Sequence, residues 1–218
     1  MSRLPALAAA FAPHDRLAGE LLPHAFAADD GSHDASHLIR VWKNALRIQS
    51  EEGGNTRLLA AAVLLHDCVS VEKNSPRRAA ASRLAAEKAS EILERLGWSA
   101  ADVTSVAHAV LTHSFSANLP PETLEAQILQ DADRLDAIGM VGAARCFYIA
   151  GRMNSALYDP LDPLAEARPL DDTAFAIDHF EAKLFRLAKD FRTAAGRRLA
   201  VERQERLRGV LAMMLDEI

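Results

Sequence analysis

The sequence predicts an all-α fold, a compact helical bundle forming a single domain over residues 1–218. Three observations predict it. Apolar residues recur at helical spacing along most of the chain, and Ala and Leu are abundant. Most Gly and Pro residues fall between the periodic segments, and no strong β-branched alternation appears. Half of the 218 residues are hydrophobic, enough for a sizeable core.

The elements follow in order. A helix or helix pair lies within about residues 3–28, followed by the loop "ADDGSHDA". A second helix runs from about 36 to 52 and stops at Gly53–Gly54. The next begins near Thr56 and carries "LLAAAVLL" to His66–Asp67. Pro76 opens a helix that reaches about Leu96, with Gly97 just past its end. Ser99-Ala-Ala-Asp102 has the form of a capping box and starts another. Pro120–Pro121 precede one long helix through "ETLEAQILQDADRLDAIGMVGAARCFYIA", and two more cover roughly 173–194 and 197–216. Residues 151–172, with three prolines and several Asp residues, resist helical periodicity; a segment of this kind suits a mobile lid.

Charge and composition narrow the function. The net charge is -5 and the pI about 5.9, a balance that gives no support to a nucleic-acid partner. Arg77–Arg78 and Arg197–Arg198 read as solvated helix faces or sites for a small anion. The two cysteines, Cys68 and Cys146, form no CxxC pair and sit in apolar surroundings, as small core residues do. The N-terminal apolar run is broken by Pro13, His14 and Asp15, a poor signal peptide. No stretch approaches the roughly 18 uninterrupted apolar residues of a membrane span. A soluble, cytoplasmic protein is expected.

Candidate metal ligands sit at three places on helices. They are His33, Asp34 and His37; the pair His66–Asp67; and Asp131, Asp133 and Asp136. An imidazole and a carboxylate at the end of so apolar a helix are costly unless hydrogen bonds or a cation satisfy them. Helix bundles build metal sites by projecting such side chains inward from facing helices. Imidazoles and carboxylates together suit a divalent first-row ion and leave positions for water or a substrate oxygen.

The order His37 … His66-Asp67 … Asp133, with the flanks "SHDASHLIRVWKNA", "LLHDCVSVEKNSP", "HAVLTHSFSA", "QDADRLDAIG" and "RPLDDTAFAIDHF", resembles the HD-domain metal-dependent phosphohydrolases. The likeness covers about residues 30–215 and is closest to a bacterial branch that includes nucleotide pyrophosphohydrolases. It implies an HD-type helical domain with its motif core at about 30–140 and C-terminal helices at 173–216 packed on it. It also implies one divalent ion (Mn²⁺, Co²⁺, Mg²⁺, Ni²⁺ or Fe²⁺) on His37, His66, Asp67 and Asp133. The implied reaction is hydrolysis of a nucleotide, in its sharpest form cleavage of a nucleoside triphosphate into monophosphate and pyrophosphate. A phosphomonoesterase or phosphodiesterase of the same fold, or a non-catalytic metal- and nucleotide-binding protein, are the alternatives. A homodimer is compatible with this reading.

Further roles follow from position. Asp67 both ligates and orients the attacking water. Lys73 and Arg77 lie in the connection after the His66–Asp67 pair, before a helix start that favours anions. Arg40, three residues after His37, shares a helix face with that ligand. Glu72 is a second choice of proton acceptor. His108 and His113 are five residues apart and do not share one regular helix face. His113 is the better placed for phosphate contact or proton transfer. His33 and Asp136 are weaker additions to the site. Arg152 and Arg168 reach an anion if the 151–172 segment closes.

Overall fold

The computed structural model describes residues 4–26, 35–69, 80–114 and 118–218. The chain divides into two compact units, residues 1–133 and 134–218. The described residues are helical with no strand, in line with the all-α expectation; one isolated bridge joins Ala156 and Phe175. No described helix is long and apolar enough to cross a membrane.

The N-terminal segment forms a pair, α1 (Leu4–Ala9) and α2 (Asp15–Ala25). Next come α3 (Ala35–Glu52) and α4 (Thr56–Leu65), separated by Gly53 and Gly54 at φ 84° and 98°, values that glycine adopts without penalty. Asn55 caps α4, its side-chain oxygen accepting the Arg57 and Leu58 amides at 2.9 and 3.3 Å. All eight residues from Leu58 to Leu65 are buried, because α2, α3 and α6 pack around α4. This explains the unbroken apolar run: a helix enclosed on all sides needs no polar face. Each fully buried Leu of the run contributes about 1.5–3 kcal/mol. α5 (Ala81–Arg95) pairs with α6 (Ala100–Thr112), which Ser99 caps as the motif predicts, accepting the Asp102 amide at 3.2 Å. The expected start of α5 at Pro76 lies outside the described residues.

The single long helix expected after Pro120–Pro121 is two: α7 (Leu124–Asp136) and α8 (Gly139–Arg152). The break is steric. Gly139 sits at φ 74°, and a Cβ on Gly142 would lie 2.3 Å from the Ala137 carbonyl oxygen. The chain folds back too tightly there for a side chain.

In the second unit, α8 packs on α10 (Ala194–Asp216) over a core of Ala143, Cys146, Phe180, Leu184, Leu207 and Leu211. The helix expected over 173–194 is instead a series of turns around α9 (Asp178–Ala182) and a short 3-10 turn at Leu184–Arg186. Arg134 replaces helical bonding there by donating to the carbonyls of Leu187, Lys189 and Asp190 at 2.8, 2.6 and 3.1 Å. Its guanidinium also lies over the Phe191 ring.

Residues 153–172, past the end of α8, form a hydrogen-bonded loop. Asp162 accepts the Glu166 and Ala167 amides at 2.8 and 2.9 Å, and Asp159 accepts the Leu161 amide at 2.9 Å. Arg168 grips both Asp178 oxygens at 2.5 and 2.9 Å, pairs with Asp159 at 3.3 Å and lies over Phe175.

Candidate metal centre

Four elements of the first unit bring the site together. α3 carries His37 in its first turn, α4 ends into His66–Asp67, α6 ends into His113, and α7 carries Asp133. The imidazoles of His37 and His66 are buried, with Nε2 atoms 3.2 Å apart. Asp133 Oδ1 stands 3.5 Å from His37 Nε2 and 3.9 Å from His66 Nε2. One atom from each of these three residues falls within 4.8 Å of the other two. Asp67 flanks the group, its Oδ2 at 3.4 Å from His66 Nε2 and 3.7 Å from His37 Nε2. The two carboxylates are 27–30% exposed while the two imidazoles lie inside, so the group opens to solvent on its acidic edge.

Backbone contacts aim the rings. His66 Nδ1 donates to the Val63 carbonyl at 2.8 Å, which leaves the Nε2 lone pair pointed into the group. Burial pushes the His66 pKa down despite Asp67 and Asp133, keeping the ring neutral and able to ligate. His113 repeats the arrangement, with Nδ1 donating to the Val110 carbonyl at 2.6 Å and Nε2 facing Asp67 Oδ1 at 3.6 Å. Burial works against protonation of His113, but the contact with Asp67 and the charge of Asp133 outweigh it and raise its pKa.

The residues fit a divalent ion. Ligand bonds of about 2.0–2.2 Å place neighbouring donors roughly 3.0–3.6 Å apart, and the separations here centre on that range. Two imidazoles and two carboxylates also make a donor set of the right charge and softness for such an ion.

Other expected site residues lie elsewhere or act differently. His108 accepts the Glu122 amide on Nε2 at 3.0 Å. Arg40, one turn beyond His37, donates to Ser36 Oγ at 2.8 Å. Asp136 is buried against Arg145 at 2.8 Å within the second unit, which accounts for its burial without a metal. Arg168 pairs with Asp178 and Asp159, and the Arg152 guanidinium lies 5.8 Å over the Tyr148 ring. Asp131 is fully buried in α7. Lys73, Arg77, Glu72 and His33 lie outside the described residues.

Three contacts were not anticipated. Asn44 donates to the Ala132 carbonyl at 3.0 Å, Gln130 to the Thr112 carbonyl at 2.7 Å, and Lys88 to the Cys68 carbonyl at 2.8 Å. Each reaches the backbone of a residue adjacent to a site residue. The available signal was a polar side chain on an apolar stripe: Asn44 continues the face of His37, Val41 and Ile48.

Comparison with known proteins places this architecture. The HD domain family model matches residues 34–138. The chain is 31% identical over 179 residues to YpgQ of Bacillus subtilis, covering 80% of this chain and 79% of that protein. The crystal structure of Bacillus subtilis YpgQ in complex with ADP superposes with a TM-score of 0.71 at 29% identity, covering 97% of each chain. An HD-superfamily hydrolase from Bacillus thuringiensis gives a TM-score of 0.70 at 28% identity over 93% of this chain and 96% of that one. With its His66–Asp67 pair inside the matched region and the likeness running through most of its length, the chain belongs to the HD domain family of hydrolases.

Proposed function

We propose that this chain is a divalent-metal-dependent phosphohydrolase of nucleotides, most sharply a nucleoside triphosphate pyrophosphohydrolase. The observation that carries the reading is the convergence of His37, His66, Asp67 and Asp133 beside His113 Nε2, with the carboxylate edge open to solvent. The ADP complex of YpgQ supports a nucleotide as the class of substrate.

His37, His66, Asp67 and Asp133 would hold the ion, which when bound supplies Lewis-acid polarisation of a phosphoryl oxygen and acidifies a water. Asp67 presents one oxygen to His66 and the other to His113, so it orients both the ion side and the proton-transfer side of the site. His113, whose Nε2 faces Asp67 Oδ1 at 3.6 Å, holds or delivers a proton at Nε2. Lys73 and Arg77, following the His66–Asp67 pair, neutralise the outer phosphates of a triphosphate. Water attacks the α-phosphorus, the bond to the α–β bridging oxygen breaks, and the monophosphate and pyrophosphate leave. The basic side chains stabilise the pyrophosphate charge as it departs.

The test is hydrolysis of deoxynucleoside triphosphates in ¹⁸O-labelled water with Mn²⁺, Co²⁺, Mg²⁺ or Ni²⁺, both products being analysed by mass spectrometry. Label in the nucleoside monophosphate is the expected result. Diphosphate and orthophosphate as first products would replace this reading by a terminal phosphatase.

A further inference from the structure

The ligands sit on separate helices, so something must set α7 against its neighbours. Apolar packing alone tolerates sliding, whereas a buried hydrogen bond fixes register because breaking it leaves polar atoms unsatisfied. Among the described residues, two such bonds join α7 to α3 and to the end of α6. Asn44 lies 4% exposed on α3, seven residues and thus two turns from His37 on the same face, and donates to the Ala132 carbonyl. That carbonyl belongs to the residue immediately before Asp133. Gln130 lies 1% exposed on α7, three residues before Asp133, and donates to the Thr112 carbonyl, immediately before His113. One bond therefore registers Asp133 against the His37 helix, and the other registers the Asp133 helix against the end of α6 that presents His113.

We infer that Asn44 and Gln130 are positioning residues of the metal centre: their amides hold α7 in the one register at which Asp133 completes the group with His37 and His66. This rests on the metal reading proposed above. Neither amide touches the reacting atoms, so they act through the ligands, as outer hydrogen-bond partners of metal sites do.

The experiment titrates the purified full chain with Mn²⁺ alone and measures free Mn²⁺ by electron paramagnetic resonance. The variants are Asn44→Leu and Gln130→Met, which keep side-chain size and remove the donor, with Asn44→Ala and Gln130→Ala if either does not fold. Ile48→Val, which trims the same apolar face of α3 without touching an amide, is the stability control, and His66→Ala the ligand control. The expected result is an Mn²⁺ affinity about 10- to 100-fold weaker in the amide variants, with Ile48→Val unchanged. Amide variants within about twofold of the parent chain, or an equal loss in Ile48→Val, would overturn the positioning role while leaving the metal reading in place. Equal Mn²⁺ binding by the parent chain and His66→Ala would overturn the metal reading itself, and this inference with it.

Discussion

His37 Nε2 and His66 Nε2 face each other at 3.2 Å in the interior of the first unit. Since His66 Nδ1 donates to the Val63 carbonyl, its Nε2 lone pair accepts an N–H from His37 in the bare protein, and on the proposed reading both Nε2 atoms would turn lone pairs to an ion. Alanine at either position should therefore remove the bound ion, as read by elemental analysis of the purified variants. Metal content equal to that of the parent chain would contradict the assignment. Because the ion binds only the folded site, Mn²⁺ at about a hundredfold over its Kd should raise unfolding stability by about 2.7 kcal/mol, and His66→Ala should lose that gain.

His113 separates chemistry from metal binding. Its Nε2 meets Asp67 Oδ1 at 3.6 Å, the carboxylate oxygen other than the one that faces His66. His113→Gln should keep its metal and lose about 10²- to 10⁴-fold in kcat, the ordinary weight of a positioned proton donor or acceptor. Loss of metal with kcat preserved in the loaded fraction would make His113 a ligand instead.

The parts of this site that sequence makes legible are those set by local chemistry. The run Leu58–Leu65 announces an enclosed helix, and His66–Asp67 at its end announces a polar site, because both features are contiguous. Ser99 and Gly53–Gly54 mark helix ends through local capping and turn geometry. What sequence hides is nonlocal. Nothing on either side of Gly139 departs from helical periodicity, and the break appears only when Gly142 meets the Ala137 carbonyl. The lost helix at 173–194 reflects side chains competing for backbone groups, with Asp171 taking the Thr173 and Ala174 amides and Arg134 taking three carbonyls more than fifty residues away. The Glu122 amide that meets His108 Nε2 is fourteen residues on, a contact no local pattern announces.

Lys73 tests the substrate side. It follows the His66–Asp67 pair closely, and a protonated amine offers no lone pair to a metal. Lys73→Ala should keep its metal and lose about 10- to 100-fold in kcat/KM toward a triphosphate, the range for a charge-assisted hydrogen bond. A variant that lost its metal while its loaded fraction kept full efficiency would show the role to be wrong.

In the second unit, Arg168 and Asp178 tie together residues 151–178. Asp178 is 1% exposed and accepts both Arg168 guanidinium bonds and the Asp171 amide at 2.7 Å. These partners, Arg168 first, hold its carboxyl below the usual carboxylate range. A folded pKa below the unfolded value means that the pair's contribution is present above the unfolded carboxylate pKa of about 3.9 and is lost as pH falls below it. The urea midpoint should therefore fall as pH drops below about 4. Arg168→Met leaves the Asp178 carboxylate without its guanidinium partner and should lower the urea midpoint at pH 7. It should also speed hydrogen exchange at the Glu166 and Ala167 amides that Asp162 holds, because Arg168 bonds the Asp162 carbonyl at 3.2 Å. Arg168→Met with Asp178→Asn keeps an oxygen for the Asp171 amide and removes the stranded charge, so most of the stability should return while the acid dependence flattens. A double variant as unstable as Arg168→Met, with the acid dependence of the parent chain, would mean that the guanidinium acts through its packing over Phe175 and not through the carboxylate.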